Sequence, residues 1–239
     1  MGAFYKKELQ AYFATPIGYI FIAIFLALSG ALFSLLALQP LKTADTQNYF
    51  NFLLYAYAVI LPLLTMRSFA DERRLHTEQL FMTSPVRLSS VVFAKFLAAY
   101  TMFSATFLVS CLNLLLLYKY APEGAPPETG VLVGNIIAIL LIGAAFIAVG
   151  VFVSSLTESQ LIAAFGTIAI LIVFLLASAG NSYINSSFIR TVLNWISIFS
   201  RYQVFLYGQF YIPSVIYYIS VAFVFLFLTV RVYEKRRWD

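Results

Sequence analysis

The sequence predicts an all-α, polytopic membrane protein with six transmembrane helices, an N-terminal amphipathic helix in the interface, and both termini cytoplasmic. Three observations carry this expectation. Apolar residues fill 62% of the 239 positions, charged residues only 10%, and the mean hydropathy is +0.89. Soluble domains are about one quarter charged, so water could not solvate a surface drawn from this composition. Apolar runs recur near 17–38, 49–66, 91–118, 131–153, 161–179 and 213–231, and a spanning helix needs roughly 20 such residues. Finally, the basic residues sort to one side of these runs.

The amphipathic element comes first. In "MGAFYKKELQAYFATP", a helix over residues 1–16 puts Tyr5, Leu9, Tyr12 and Phe13 on one face and Lys6, Lys7 and Gln10 mostly elsewhere. That pattern suits a helix lying on the inner leaflet. Pro16 then sets the bend into the first span, because the residue before proline avoids the α region. The following run is too long for a signal peptide, and no clear small-residue cleavage site follows it. The third run is long and starts in the interface, where Lys95 can snorkel toward the headgroups.

The connections differ in kind. "QPLKTADTQ" and "KYAPEGAPPETG" are rich in turn formers, and "SSLTESQ" is short and polar. Residues 180–212 form a longer, aromatic-rich extracytoplasmic connector, interfacial or re-entrant. With the N-terminus inside, the inner side holds Lys6, Lys7, Arg67, Arg73, Arg74, Arg87, Lys95, Arg231, Lys235, Arg236 and Arg237. The outer side holds Lys42, Lys119, Arg190 and Arg201. Eleven against four satisfies the positive-inside rule, and an even number of spans puts both termini on the same side. The +5 net charge therefore reflects topology, and no nucleic-acid partner is expected. No repeat makes the two halves duplicates, so residues 1–239 read as a single transmembrane domain.

Chemistry is sparse. The chain lacks Gly-x-x-x-x-Gly-Lys-Ser/Thr, His-Glu-x-x-His and Gly-x-Ser-x-Gly. His76 and Cys111 are single, which disfavours a metal site or a triad, and Cys111 reads as a small packing residue inside an apolar run. No catalytic, cofactor-binding or metal-ligating residues emerge, and an intramembrane enzyme has no candidate nucleophile or carboxylate pair. Every acidic residue falls in a connection or terminus, whereas ion-coupled transporters often place carboxylates within the membrane. Energy for any uphill transport would then come from outside the chain. Small residues such as Gly30/Ser34 and Ala144/Ala148 let helices approach closely, for packing, a pathway or a dimer seam.

One stretch interrupts the pattern: "RSFADERRLHTEQLFMTSPVR", within an insert over residues 67–90. Arg67, Asp71, Glu72, Arg73, Arg74, Glu78 and Arg87 would together cost on the order of 20 kcal/mol at a span centre, so the insert belongs in the cytoplasm. Ser68 and Asp71 form a capping-box-like start, and Thr77 caps a second helix with Glu78 in its first turn. Ser84-Pro85 ends that helix. Leu80, Phe81 and Met82 are apolar within a charged loop, and should seek the membrane surface or a protein groove.

"FADERRLHTEQLFMTSPVRLSSVVFAKFLA" resembles the first cytoplasmic loop of type-2 ABC transporter permeases, with Thr77, Glu78, Leu80, Pro85 and Lys95 matching and His76 standing where glycine is usual. "KKELQAYFATPIGYIFI", "SSLTESQLIAAFGT" and "SIFSRYQVFLYGQFYIPSVIYYIS" are similar to stretches of the gliding-motility-associated branch, although Arg201 replaces a common histidine. The four together cover essentially the whole chain in order. The resemblance implies a permease subunit in the bacterial inner membrane, homodimeric or heterodimeric, and served by a separate cytoplasmic ATPase that carries the ATP and Mg. Thr77–Ser84 would be the helix coupling it to that ATPase. Glu72, Arg73, Arg74 and Glu78 would make charged contacts, Leu80 and Phe81 would fill a groove, and Pro85 would close the helix. Export is the leading function. The alternative is a non-transporting anchor or force-transmitting component of a gliding or cell-surface machine. The apolar spans suit a lipidic, hydrophobic or polymeric cargo, and six spans are too few to enclose a pathway without a second half.

Overall fold

A computed structural model of the chain describes residues 2–37, 46–79, 87–115, 129–177 and 197–238, together with Phe188, Thr191, Leu193 and Trp195. Among these the chain is helical and contains no strand. Helix α1 covers Gly2–Ala14 and α2 Pro16–Leu32, the latter continuing into a π-helical turn, Phe33–Ala37. Helix α3 runs over Thr46–Thr65 and a short α4 over Ala70–Arg74. Then come α5 (Leu88–Ser110), α6 (Thr129–Leu156), α7 (Gln160–Leu176), α8 (Ile198–Leu206) and α9 (Ile212–Trp238).

Among the described residues, five helical stretches are long and apolar enough to cross a membrane: Pro16–Leu36, Gln47–Arg74, Leu88–Leu115, Thr129–Leu156 and Ile212–Arg237. The fifth apolar run of the sequence is the exception. Its helix, Gln160–Leu176, has 17 residues. At 1.5 Å per residue it reaches only about 25 Å, short of a hydrocarbon core of about 30 Å. The described residues therefore hold five long spans and one shorter apolar helix rather than six equal ones.

The bundle is built around α6. Its residues from Ala145 to Val151 are all buried, as expected of a helix that is apolar on every side. Two glycines on α6 accept neighbours at close range. A Cβ on Gly143 would stand 2.1 Å from the Phe103 ring of α5, and one on Gly150 would stand 2.1 Å from Thr65 Oγ1 at the end of α3. Aromatic rings join α2, α3 and α5: Phe25 stacks on Tyr57 at 5.0 Å, and Tyr57 meets Phe103 edge-on at 5.6 Å. Three buried hydroxyls tie the same helices. Ser29 Oγ lies 3.0 Å from the Tyr49 hydroxyl and also contacts Ser110 Oγ. Each such bond within a membrane contributes on the order of 0.6 kcal/mol.

At one end of the bundle α8 is pinned inward. Ser197 caps it by accepting from Ser200 N, Tyr202 donates to Asn135 Oδ1 at 2.9 Å, and Tyr218 donates to Ile198 O at 3.1 Å. Ile198, Tyr202, Phe205 and Leu206 are buried, so this part of the 180–212 connector packs on the bundle. Residues 207–212 follow α8 and are exposed, while residues 180–196, apart from Phe188, Thr191, Leu193 and Trp195, lie outside the described residues.

Candidate functional site: the charged end of the bundle

At the opposite end the segments that carry the charges come together. The corner between α1 and α2 forms where expected. Thr15 is extended and Pro16 opens α2. Gly18 lies so close to α1 that a Cβ there would fall 2.2 Å from Tyr12 O. Helix α1 turns Phe4, Tyr5, Glu8, Leu9 and Tyr12 toward the bundle, while Phe13 is 48% exposed. The sequence puts Tyr5, Leu9, Tyr12 and Phe13 on one face of a helix lying on the inner leaflet; in the structure the first three pack against the bundle beside a carboxylate, and Phe13 does not. Two tyrosines fasten α1: Tyr5 donates to Thr101 Oγ1 of α5, and Tyr12 donates to Leu64 O of α3.

Lys95 explains why Glu8 faces inward. Its ammonium lies 3.0 Å from Glu8 Oε1 and 2.8 Å from Glu72 Oε1, with the side chain only 3% exposed. The Phe69 ring sits 5.1 Å from it. Snorkelling, the sequence expectation for Lys95, does not occur, because two carboxylates reach the ammonium inside the protein. Removing one partner of such a buried pair costs about 3–5 kcal/mol, since a charge is left without compensation. A lone lysine in "VVFAKFLAA" is a signal that a carboxylate partner is needed. Nothing local says which one.

Helix α4 is the stem of the insert and meets most of its neighbours here. Ser68 does not cap it. The N-cap is Phe69, without a side-chain cap of its own, because the chain turns through residues 66–69 and carries Ser68 into the packed interior. Ser154 of α6 takes the capping role from a distance. Its Oγ accepts from Phe69 N and Ala70 N at 3.1 Å each and donates to Met66 O at 3.0 Å. Sequence reasoning missed Ser154, whose only local sign was a polar pair ending an apolar run.

The remaining charges of α4 are also engaged within the chain. Asp71 pairs with Arg67 at 2.6 Å and Arg74 at 3.5 Å, and accepts from the Gln160 amide at the start of α7. Arg73 pairs with Glu158 at 3.0 Å and donates to Leu156 O at 2.9 Å, holding the α6–α7 turn. The Phe69 ring packs 4.7 Å from Tyr233 of α9. Beside the stem, a cleft of about 190 Å³ is lined by Lys7, Glu8, Tyr12, Arg67, Asp71 and Lys95, among others.

Of the residues singled out from sequence, Glu72, Arg73, Arg74, Thr77 and Glu78 can be placed, Glu78 being half-buried in the turn after α4 with its Oε2 enclosed and without a hydrogen bond. Glu72 and Arg73 turn toward the bundle, whereas the Arg74 side chain is 62% exposed. Thr77 sits in the turn after α4. Both its N–H and its hydroxyl donate to Glu72 O, at 2.9 and 3.3 Å, so it closes α4. His76, just before it, has φ 55°, the only positive φ at a non-glycine among the described residues. Leu80, Phe81 and Pro85 lie outside the described residues, as does most of the expected Thr77–Ser84 helix.

Among the described residues no His, Cys, Asp and Glu cluster could hold a metal ion. The arrangement is mechanical: a short helix locked to five others at one end of a bundle of apolar spans. Comparison with curated proteins gave no match. Residues 34–236, most of the chain, match the family model described as ABC-2 family transporter protein. With five helices among its described residues able to cross a membrane, the chain is a multi-pass member of the ABC-2 family of transporter proteins and a permease subunit of an ABC transporter.

Proposed function

We propose that the insert at residues 67–90 seats a cytoplasmic ATPase, and that two permease subunits driven by that ATPase form an exporter of the bacterial inner membrane, of the gliding-motility-associated branch. Family membership supports the ATPase, because ABC-2 permeases work in association with one. In this reading the short helix Gln160–Leu176 completes a sixth span, and α1, the insert and the end of α9 face the cytoplasm. The concentration of Lys6, Lys7, Arg67, Arg73, Arg74 and Arg231–Arg237 there supports that orientation.

The observation that carries the reading is the contrast between the two parts of the insert. Its stem, α4, is bonded to α1 and α5 through Lys95, to α6 through Ser154, to α7 through Gln160, and to α9 through Tyr233. Beyond the stem, Leu75 is 62% exposed in a segment where an exposed leucine has no packing role, and the apolar Leu80 and Phe81 follow in sequence. A force applied beyond the stem would reach several spans at once. ATP binding would close the ATPase dimer, drive the paired inserts together, and rock the spans outward. Arg74, Leu80 and Phe81 then face the ATPase, with the half-buried Glu78 at the rim of that contact and Pro85 ending their helix, while Glu72 and Arg73 hold the stem. The apolar lining of the spans suits a lipidic or polymeric cargo.

Purification in mild detergent tests this. The wild-type chain should carry a P-loop ATPase with it, and Glu78→Lys with Phe81→Ala should insert normally yet lose most of that partner. Equal recovery of the ATPase with the variant would contradict the seat. No ATPase with the wild type would favour a membrane anchor.

A further inference from the structure

We propose that Lys95 is a positioning residue for coupling: with Glu8 and Glu72 it forms an ionic joint that makes the N-terminal helix α1 and the insert stem α4 move as one body with α5. This rests on the reading that an ATPase acts on the insert. Three features separate the joint from ordinary stabilisation.

First, it is not a simple pair. One ammonium serves two carboxylates, each through a single oxygen at 3.0 and 2.8 Å, and the second Glu72 oxygen is buried without a hydrogen bond. A pair built for stability would use one carboxylate, because each added buried charge carries a desolvation cost of several kcal/mol. The second carboxylate instead adds a connection: Glu8 brings α1, Glu72 brings α4. Second, Lys95 itself is 3% exposed, so it cannot touch a docked protein and can act only through its partners. Third, the joint continues. Phe69 lies over the Lys95 ammonium and against Tyr233, which extends the link from α5 to α9. Helix α1 has no fully buried residue, so besides Tyr5 and Tyr12 the Glu8 link is its main polar hold on the bundle. Without Lys95, α4 could tilt under load while α1 stayed behind.

A double-mutant cycle on the permease–ATPase complex in lipid nanodiscs separates the joint from direct contact and from plain stability. The variants are Glu72→Met, Lys95→Met and their combination, and each is read for thermal stability, ATPase recovery and permease-stimulated hydrolysis. Glu72→Met leaves the neutral Glu8–Lys95 pair, so it should fold and keep the ATPase while stimulation falls at least fivefold. In the Lys95→Met background, Glu72→Met should lower stimulation no further, since the joint is already open. Where Lys95→Met gives poor yield, the triple Glu8→Met/Glu72→Met/Lys95→Met, which has no buried charge, replaces it. It should be as stable as wild type and remain uncoupled. Additive losses would show that Glu72 contacts the ATPase directly, and would overturn the joint. A stable triple variant that stimulates within twofold of wild type would overturn it equally. If the wild type recovers no ATPase, the underlying reading of the insert fails instead.

Discussion

At His76 the backbone takes a conformation that L-residues avoid. With φ at 55°, it is the left-handed residue just past the end of α4. His76 N donates to Arg73 O at 3.1 Å and Thr77 N donates to Glu72 O at 2.9 Å, the paired bonds of a Schellman C-cap. Glycine is the usual residue there because a Cβ in this region costs about 1–2 kcal/mol. The resemblance to type-2 permeases already marked His76 as standing in a glycine's place, and the left-handed turn supplies the physical reason for that glycine. Since the histidine side chain is exposed, replacing it removes no packing. His76→Gly should therefore tighten the turn by about 0.5–1 kcal/mol, after allowing for glycine's greater freedom when unfolded. His76→Val should loosen it. Limited proteolysis of the insert should rank the three Gly, His, Val from slowest to fastest cleavage, and the reverse order would contradict the left-handed turn. Lys95 marks the limit of legibility at this scale. Sequence showed a cation near the start of an apolar run, but its first partner lies 87 positions away.

Among the elements, α4 shows why local patterns succeed and where they stop. That the insert opens with a short helix was legible from its charges and turn formers. The source of its cap was not, because a local pattern can offer only Ser68, whereas the real acceptor, Ser154 Oγ, comes from α6. Ser154→Ala would leave two buried N–H groups of α4 without an acceptor. A loss of about 1–3 kcal/mol follows from the unmet donor. In a thermal melt in detergent the variant should unfold earlier than wild type, with Ser155→Ala, whose hydroxyl bonds only within its own helix, close to wild type. Equal melting of Ser154→Ala and wild type would contradict capping in trans. Helix α1 repeats the lesson. Its periodicity groups Tyr5, Leu9, Tyr12 and Phe13 on a face expected to meet the leaflet, yet the first three pack on the bundle together with Glu8, which an amphipathicity argument leaves out. The ion pair with Lys95 overrides that rule.

For the molecule as a whole, composition and spacing were enough for an all-helical membrane protein, because a bilayer admits little else to so apolar a chain. The order of resemblances located the family, which the match over residues 34–236 supports directly. What the sequence could not reveal is which helix ends converge, since ionic and capping contacts between distant segments leave no periodic trace. Those contacts make the charged end a single collar around α4, and they give the insert its proposed role as the place where ATP hydrolysis acts on the spans. The most direct test places a photoreactive phenylalanine analogue at position 81 and irradiates intact cells. The account predicts a covalent product containing the permease and a P-loop ATPase, absent when the analogue stands at Phe210 instead. Irradiation that joins position 81 only to lipid or to the permease's own helices would contradict it.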